Sequence, residues 1–198
     1  MKEIIMATNN AHKLEEVRQI LGDGFLVKGL AEIGCHEDIP ESADTLEGNA
    51  LQKVRYVHDH YGVDCFADDT GLEVTALEGA PGVFTARFGA MNGYGESHDA
   101  DANIQCLLDK MEEAEDRTAR FRTVVALVQN GEEHLFEGIV EGEILIQEVG
   151  EGCFGYDPIF APLEGNGLAF AQMSAEDKNA ISHRGRAIMK LVEFLKNN

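Results

Sequence analysis

The stretch RFRTVVALVQ-NG-EEHLFEGIVEGE, Arg120–Glu143, holds two β-rich runs, Arg120–Gln129 and Glu132–Glu143, joined by Asn130-Gly131. Asn-Gly tolerates two consecutive positive φ angles, the backbone a tight two-residue turn needs to match strand twist, so these residues predict a long hairpin. Upstream the pattern changes. Lys2–Ala7 reads as a short buried strand, and after Thr8-Asn9-Asn10 the apolar positions Ala11, Leu14, Val17 and Leu21 take helical spacing. Thr45 is placed to cap a second helix through Leu46, Ala50, Val54 and Val57 to about Tyr61-Gly62. Val63–Ala67 returns as a strand expected to end at Asp68-Asp69-Thr70-Gly71.

Ser97–Glu115 carries Ile104, Leu107, Leu108 and Met111 on one stripe, which predicts an amphipathic helix with an acidic outer face. Glycines at 150, 152 and 155 predict an irregular loop, and Ser182 is placed to cap a last helix bearing Ala187, Ile188, Leu191, Val192 and Leu195. Strand-helix units together with a hairpin define an α/β protein with a mixed sheet.

With 198 residues, 44% of them apolar, the chain can bury a substantial core, and one domain over 1–198, with room for two lobes, is the default. Sixteen Lys and Arg face 36 Asp and Glu, a formal charge of −20 that disfavours a polymeric nucleic acid or an anionic membrane as partner. A small anionic substrate stays allowed, because a few clustered cations, helix N-termini and a divalent metal reverse the local potential. Cys35, Cys65, Cys106 and Cys153 form no Cys-x-x-Cys pair and fit reduced thiols of a cytoplasmic protein. No apolar run approaches the roughly eighteen residues of a membrane span, and none suits a signal peptide.

Thr8-Asn9-Asn10-Ala11-His12-Lys13 sits where a strand gives way to a helix, so backbone N–H groups and Lys13 suit phosphate oxygens, although Asn capping explains the pattern equally well. Asp68 and Asp69, with Glu41 upstream, are oxygen donors of the kind that holds Mg²⁺. Adjacent residues of an extended chain point to opposite faces, so both aspartates serve one ion only if the strand stops there. Asn49 and Lys53, four apart, share one face of the second helix. Phe154-Gly155-Tyr156-Asp157 offers stacking faces and an acceptor, while Lys178, His183 and Arg184 offer donors to a purine keto oxygen; core plugs and charge decoration are the plainer alternative. Arg184, a cation in the first turn of a helix, opposes the helix dipole and needs compensation.

Thr8–Lys13, Phe66–Gly71, Gly79-Ala-Pro-Gly-Val-Phe-Thr-Ala-Arg87, Phe154–Pro158 and Ser182-His183-Arg184, taken in order, resemble the inosine triphosphate pyrophosphatase family, from residue 4 to the last helix. The resemblance implies an elongated α/β fold with a long twisted mixed sheet, flanking helices and two lobes around a central cleft, in a homodimer. It implies hydrolysis of non-standard purine nucleoside triphosphates (ITP, dITP, XTP) to monophosphate and pyrophosphate with Mg²⁺. Thr8, Asn9, Asn10, Ala11, His12, Lys13 and Lys53 would hold the triphosphate. Glu41 and Asp69, with Asp68 beside them, would hold the metal, and Asp69 would also accept the proton. Thr70 would contact substrate, and Phe154, Gly155, Tyr156, Asp157, Lys178, His183 and Arg184 would form the base pocket. Gly48 stands where many relatives carry an acid, and Phe84 where Tyr is usual. The alternatives are a general nucleoside triphosphate pyrophosphatase of related fold without base selectivity, or a non-catalytic nucleotide-binding module.

Overall fold

A computed structural model describes residues 2–151 and 154–197, so the expectations placed on Gly152 and Cys153 lie outside the described residues. In chain order the elements are β1 (Lys2–Met6), α1 (Ala11–Leu21), β2 (Phe25–Lys28), α2 (Leu46–Tyr61), β3 (Cys65–Val74) and β4 (Pro81–Gly82). There follow α3 (Phe88–Met91), α4 (Ala100–Lys110), β5 (Thr118–Gln129), β6 (Glu132–Ile144), β7 (Phe160–Pro162), α5 (Ala175–Ile181) and α6 (His183–Asn197). The strands form one sheet in the order β2-β1-β3-β5-β6-β7, with β4 added alongside β3. β1 pairs parallel with β2 and β3, whereas β3/β4 and β6/β7 are antiparallel, so the sheet is mixed as expected. Asn130 and Gly131 take φ of 53° and 79° at the tip of the predicted hairpin, both in the left-handed region that this turn requires.

The chain divides into two compact units. The first comprises Met1–Asp69, Thr123–Gly138 and Ser182–Asn198, and the second Thr70–Arg122 and Ile139–Ile181. The core of the first gathers Met6, Val17, Phe66, Leu127, Ile188 and Leu191. The core of the second gathers Leu72, Leu107, Met111, Ile144, Ile159 and the rings of Phe121, Phe160 and Phe170, with the Phe121 and Phe160 centroids 4.6 Å apart edge to face. β3 contributes Cys65–Asp69 to the first unit and Thr70–Val74 to the second.

Local chemistry explains the helix ends. Asn10 accepts from the Lys13 N–H at 3.1 Å and Thr45 from Gly48 at 3.0 Å, while Gly62 closes α2 at φ 64° with its N–H on the His58 carbonyl. Ser182 Oγ accepts from the Gly185 N–H at 3.0 Å, and Ala187, Ile188, Leu191, Val192 and Leu195 are all buried. A buried Leu, Ile or Val contributes about 1.5–3 kcal/mol, so packing rather than helix propensity holds α6, which carries a glycine in its first turn.

Two expectations need correction. The helix expected over Ser97–Glu115 is shorter, because Asp99 caps it, accepting from Ala102 N–H at 3.0 Å, and the helix closes at Met111. The strand expected to stop at Asp68–Gly71 runs on to Val74, since Leu72 and Glu73 pair with β4 and Leu72 and Val74 are buried. Asp68 and Asp69 are therefore consecutive residues inside a strand rather than at its end.

Candidate active site

In the first unit, Ala7 N–H donates to the Phe66 carbonyl at 2.7 Å, which sets the β1–α1 turn beside the segment leading to Asp68. Thr8 Oγ1 accepts from Asn10 N–H at 3.1 Å, and Asn9 Nδ2 donates to the Glu37 carbonyl at 3.4 Å. Asn9, Asn10, Ala11 and His12 are exposed and Thr8 half-buried, so the turn can meet a solute. The Asn10 side chain itself serves as the cap of α1.

The two aspartates diverge. Asp68, 1% exposed, accepts from Lys13 Nζ at 3.2 Å and from Arg184 Nε at 3.1 Å, while Arg184 Nη1 also pairs with Glu16. Asp69 turns toward α2, accepting from Asn49 Nδ2 at 3.1 Å with Lys53 Nζ 4.0 Å from its other oxygen. Lys53 Nζ also donates to Glu41 at 2.5 Å and to the Asp68 carbonyl at 2.6 Å. Strand alternation produces this split.

Electrostatics separates the pair further. Burial pushes both carboxyls up, but around Asp68 the charges of Lys13, Arg184 and Lys53 and the Arg184 hydrogen bond hold it below the ordinary aspartate range. At Asp69 burial wins over Lys53, Lys13 and the Asn49 hydrogen bond, Glu41 adding to the rise, so its carboxyl is the more basic of the two. Burial would lower Lys53, yet Asp69, Glu41 and Asp68 raise it, whereas burial does lower Lys13, the attraction of Asp68 being offset by Lys53 and Arg184. Burial would raise Glu41, and Lys53 lowers it. Arg184 stays charged: burial opposes this, and Asp68 and Glu16 outweigh it. Those two carboxylates are the compensation that a first-turn cation requires.

The charge balance bears on a metal. Four carboxylates, Glu16, Glu41, Asp68 and Asp69, accompany three cations, Lys13, Lys53 and Arg184. Among the described residues no group of three or more His, Cys, Asp or Glu is gathered to hold a metal. Glu41 and Asp69, which share the Lys53 ammonium, make a two-carboxylate donor set, and this fits Mg²⁺, an ion that keeps several waters and shares phosphate oxygens. Asp68 is engaged by Lys13 and Arg184.

In the second unit, Lys178 Nζ pairs with Asp157 at 2.7 Å and lies 5.3 Å from the Phe154 ring centroid and 5.5 Å from that of Phe170. Gly155 takes φ 55°, and Thr70, half-buried, follows Asp69 on β3. Tyr156 is a core plug, 3% exposed, with its hydroxyl donating to the Thr85 carbonyl at 2.8 Å and its phenol pushed up chiefly by burial. His183 is buried at the start of α6 in the first unit.

Sequence reasoning missed Glu16 as the partner of Arg184, Phe170 beside Lys178, and Thr85, whose Oγ1 accepts from Leu72 N–H at 2.9 Å. It also missed Gly138, where a Cβ would stand 2.0 Å from the His183 carbonyl oxygen, so that only glycine admits the first turn of α6. Glu16, one turn after Lys13 on α1, carried a signal in its spacing; the others carried none.

Residues 4–194 match the family model described as the Ham1 family. A dITP/XTP pyrophosphatase of Porphyromonas gingivalis is 53% identical over 98% of both chains, and one of Flavobacterium psychrophilum is 47% identical over 98% of this chain and all of the other. Among solved structures, the Staphylococcus aureus Ham1 protein superposes with a TM-score of 0.86 at 38% identity, covering 99% of each chain. A HAM1 protein from Coxiella burnetii gives 0.87 at 35% identity over the full length of both. On these matches, and on a mixed sheet that carries the expected turn and carboxylates, the chain belongs to the Ham1 family.

Proposed function

We propose that this chain is a nucleoside triphosphate pyrophosphatase acting on non-standard purine nucleotides such as dITP, ITP and XTP, with release of the monophosphate and pyrophosphate. The observation that carries the chemistry is the pair Glu41 and Asp69 sharing Lys53, with Asp69 held in its more basic state. The substrate class is supported by relatives that carry the name dITP/XTP pyrophosphatase at 53% and 47% identity.

Cleavage between the α- and β-phosphates needs an aligned water, a base and neutralisation of charge on the departing pyrophosphate. The Thr8–Lys13 turn presents helix N-terminal N–H groups and the Lys13 ammonium to phosphate oxygens, and Lys53 adds a second cation. Asp69 orients the water and takes its proton. Asp68 serves as the counter-ion that keeps Lys13 and Arg184 in place. Mg²⁺, held by Glu41 and Asp69, would neutralise triphosphate charge when bound. Phe154, Gly155, Tyr156, Asp157, Lys178, His183 and Arg184 are assigned to the base by resemblance, Tyr156 through its backbone and the loop it anchors; Lys178 and Asp157 supply a donor and an acceptor at hydrogen-bonding distance from each other. Thr70 is assigned to substrate on the same ground, and a cytoplasmic homodimer goes with the family resemblance.

A non-catalytic nucleotide-binding module would have no use for Glu41 and Asp69, which repel a triphosphate unless a cation intervenes. Product analysis separates the two. Incubation of ITP with the protein and Mg²⁺ is expected to give inosine monophosphate and pyrophosphate in equal amounts. Inosine diphosphate with orthophosphate, or unchanged ITP, would contradict the proposal.

A further inference from the structure

Asn49 is 1% exposed and uses both ends of its amide. Its Nδ2 donates to Asp69 Oδ2 at 3.1 Å, and its Oδ1 accepts from the Ala43 N–H at 2.9 Å, two residues beyond Glu41. Glu41 itself is exposed and sits on a stretch without helix or strand. Gln52, one turn further along α2, also holds this stretch, accepting from Ser42 N–H at 3.0 Å and donating to Ser42 Oγ at 3.1 Å, but it makes no bond to Asp69. Gly48 leaves room for the arrangement, since a Cβ there would lie 2.6 Å from the Ala43 Cβ.

We propose that Asn49 is a positioning residue that locks the Glu41 segment and Asp69 into one frame, fixing the separation of the two carboxylates. A buried amide with both ends satisfied has one orientation, because reversing it would set its N–H₂ against the Ala43 N–H and its carbonyl against the Asp69 carboxylate. Such a clamp ties a segment without helix or strand of its own to α2. The inference rests on Glu41 and Asp69 acting together, as argued above.

The test uses the full chain with Asn49→Ala, the volume-matched Asn49→Leu, Gln52→Ala and Asp69→Asn. Amide hydrogen exchange at Ala43 without nucleotide or metal is expected to speed up at least tenfold in both Asn49 variants. Steady-state kinetics on ITP is expected to show kcat lowered roughly 10–100-fold with KM changed less than about threefold, and a smaller kcat loss in Gln52→Ala. Three results would each overturn the proposal: unchanged exchange at Ala43, equal kcat losses in Asn49→Ala and Gln52→Ala, or failure of both Asn49 variants to fold, which would make Asn49 a residue of the fold alone. Failure of the underlying chemistry is read separately, as parental turnover in Asp69→Asn.

Discussion

Arg184 Nε donates to Asp68 Oδ2 at 3.1 Å between side chains that are 2% and 1% exposed, so the first turn of α6 is fastened to the middle of β3 by an ion pair removed from water. Lys13 from α1 and Glu16 extend the pair into a chain, Lys13–Asp68–Arg184–Glu16. Placing charges there costs desolvation, and the arrangement stands because each charge has an opposite neighbour. Its value lies in geometry: it holds Lys13 and the start of α6 on one strand.

Removing the central carboxylate takes the opposite charge away from Lys13 and from the Arg184 Nε, leaving Glu16 on Arg184. Asp68→Ala is therefore expected to destabilise the fold by about 3–5 kcal/mol, the usual cost of breaking a buried pair from one side. Urea unfolding at pH 7 measures it; a loss under 1 kcal/mol would show that water already screens the cluster.

Asp69 behaves in the opposite sense. Its carboxyl is raised in the fold, so the folded state binds more protons than the unfolded chain between the ordinary aspartate pKa and the folded one, and stability falls as pH rises through that interval. In metal-free buffer at pH 7–8, Asp69→Asn is expected to raise stability, on the order of 0.5–2 kcal/mol, while ITP turnover is nearly abolished. The gain should vanish below pH 4. A variant less stable than the parent across the whole range would contradict the raised carboxyl.

For Asp68 the sign reverses. Its depressed carboxyl contributes stability that is fully present above the ordinary aspartate pKa and is lost as pH falls toward the folded value. Below pH 4 the parent is expected to lose stability more steeply than Asp68→Asn, measured as urea midpoints from pH 7 to 2.5. Parallel curves would remove Asp68 from the acid response.

Much of this was legible in the sequence because local chemistry decides it. The Asn130-Gly131 turn, the caps at Asn10, Thr45 and Ser182, and the apolar face of α6 each follow from neighbours within a few residues. The path of β3 beyond Asp69 was not legible. Thr70 and Gly71 read locally as a stop, and pairing of Leu72 and Glu73 with Gly82 and Pro81 carries the strand onward. The roles of Asp68 and Asp69 separate for the same reason, since their partners come from α1, α2 and α6. Tyr156 likewise read as a stacking face, and its burial depends on a core assembled from remote segments.

Gly138 offers a test of the seat of α6. A Cβ there meets backbone atoms, the His183 oxygen at 2.0 Å and the Ala187 nitrogen at 2.6 Å, which cannot rotate away. Gly138→Ala is expected to cost about 1–3 kcal/mol by overpacking and to lower kcat/KM for ITP by displacing His183 and Arg184. Calorimetry and kinetics indistinguishable from the parent would show that the helix shifts freely.

The central claim is recognition of a 6-keto purine triphosphate. Lys178, assigned to the base by resemblance, would donate to O6 of inosine, whereas adenine presents a donor there, leaving opposed donors unsatisfied. The most direct measurement is kcat/KM for pyrophosphate release from inosine, xanthosine, guanosine and adenosine triphosphates, each with and without Mg²⁺. We expect activity only with the metal, and inosine and xanthosine triphosphates preferred over adenosine triphosphate by a factor approaching about 10⁴ if the mismatch is fully buried. Equal kcat/KM for inosine and adenosine triphosphates, or turnover indifferent to Mg²⁺, would contradict it.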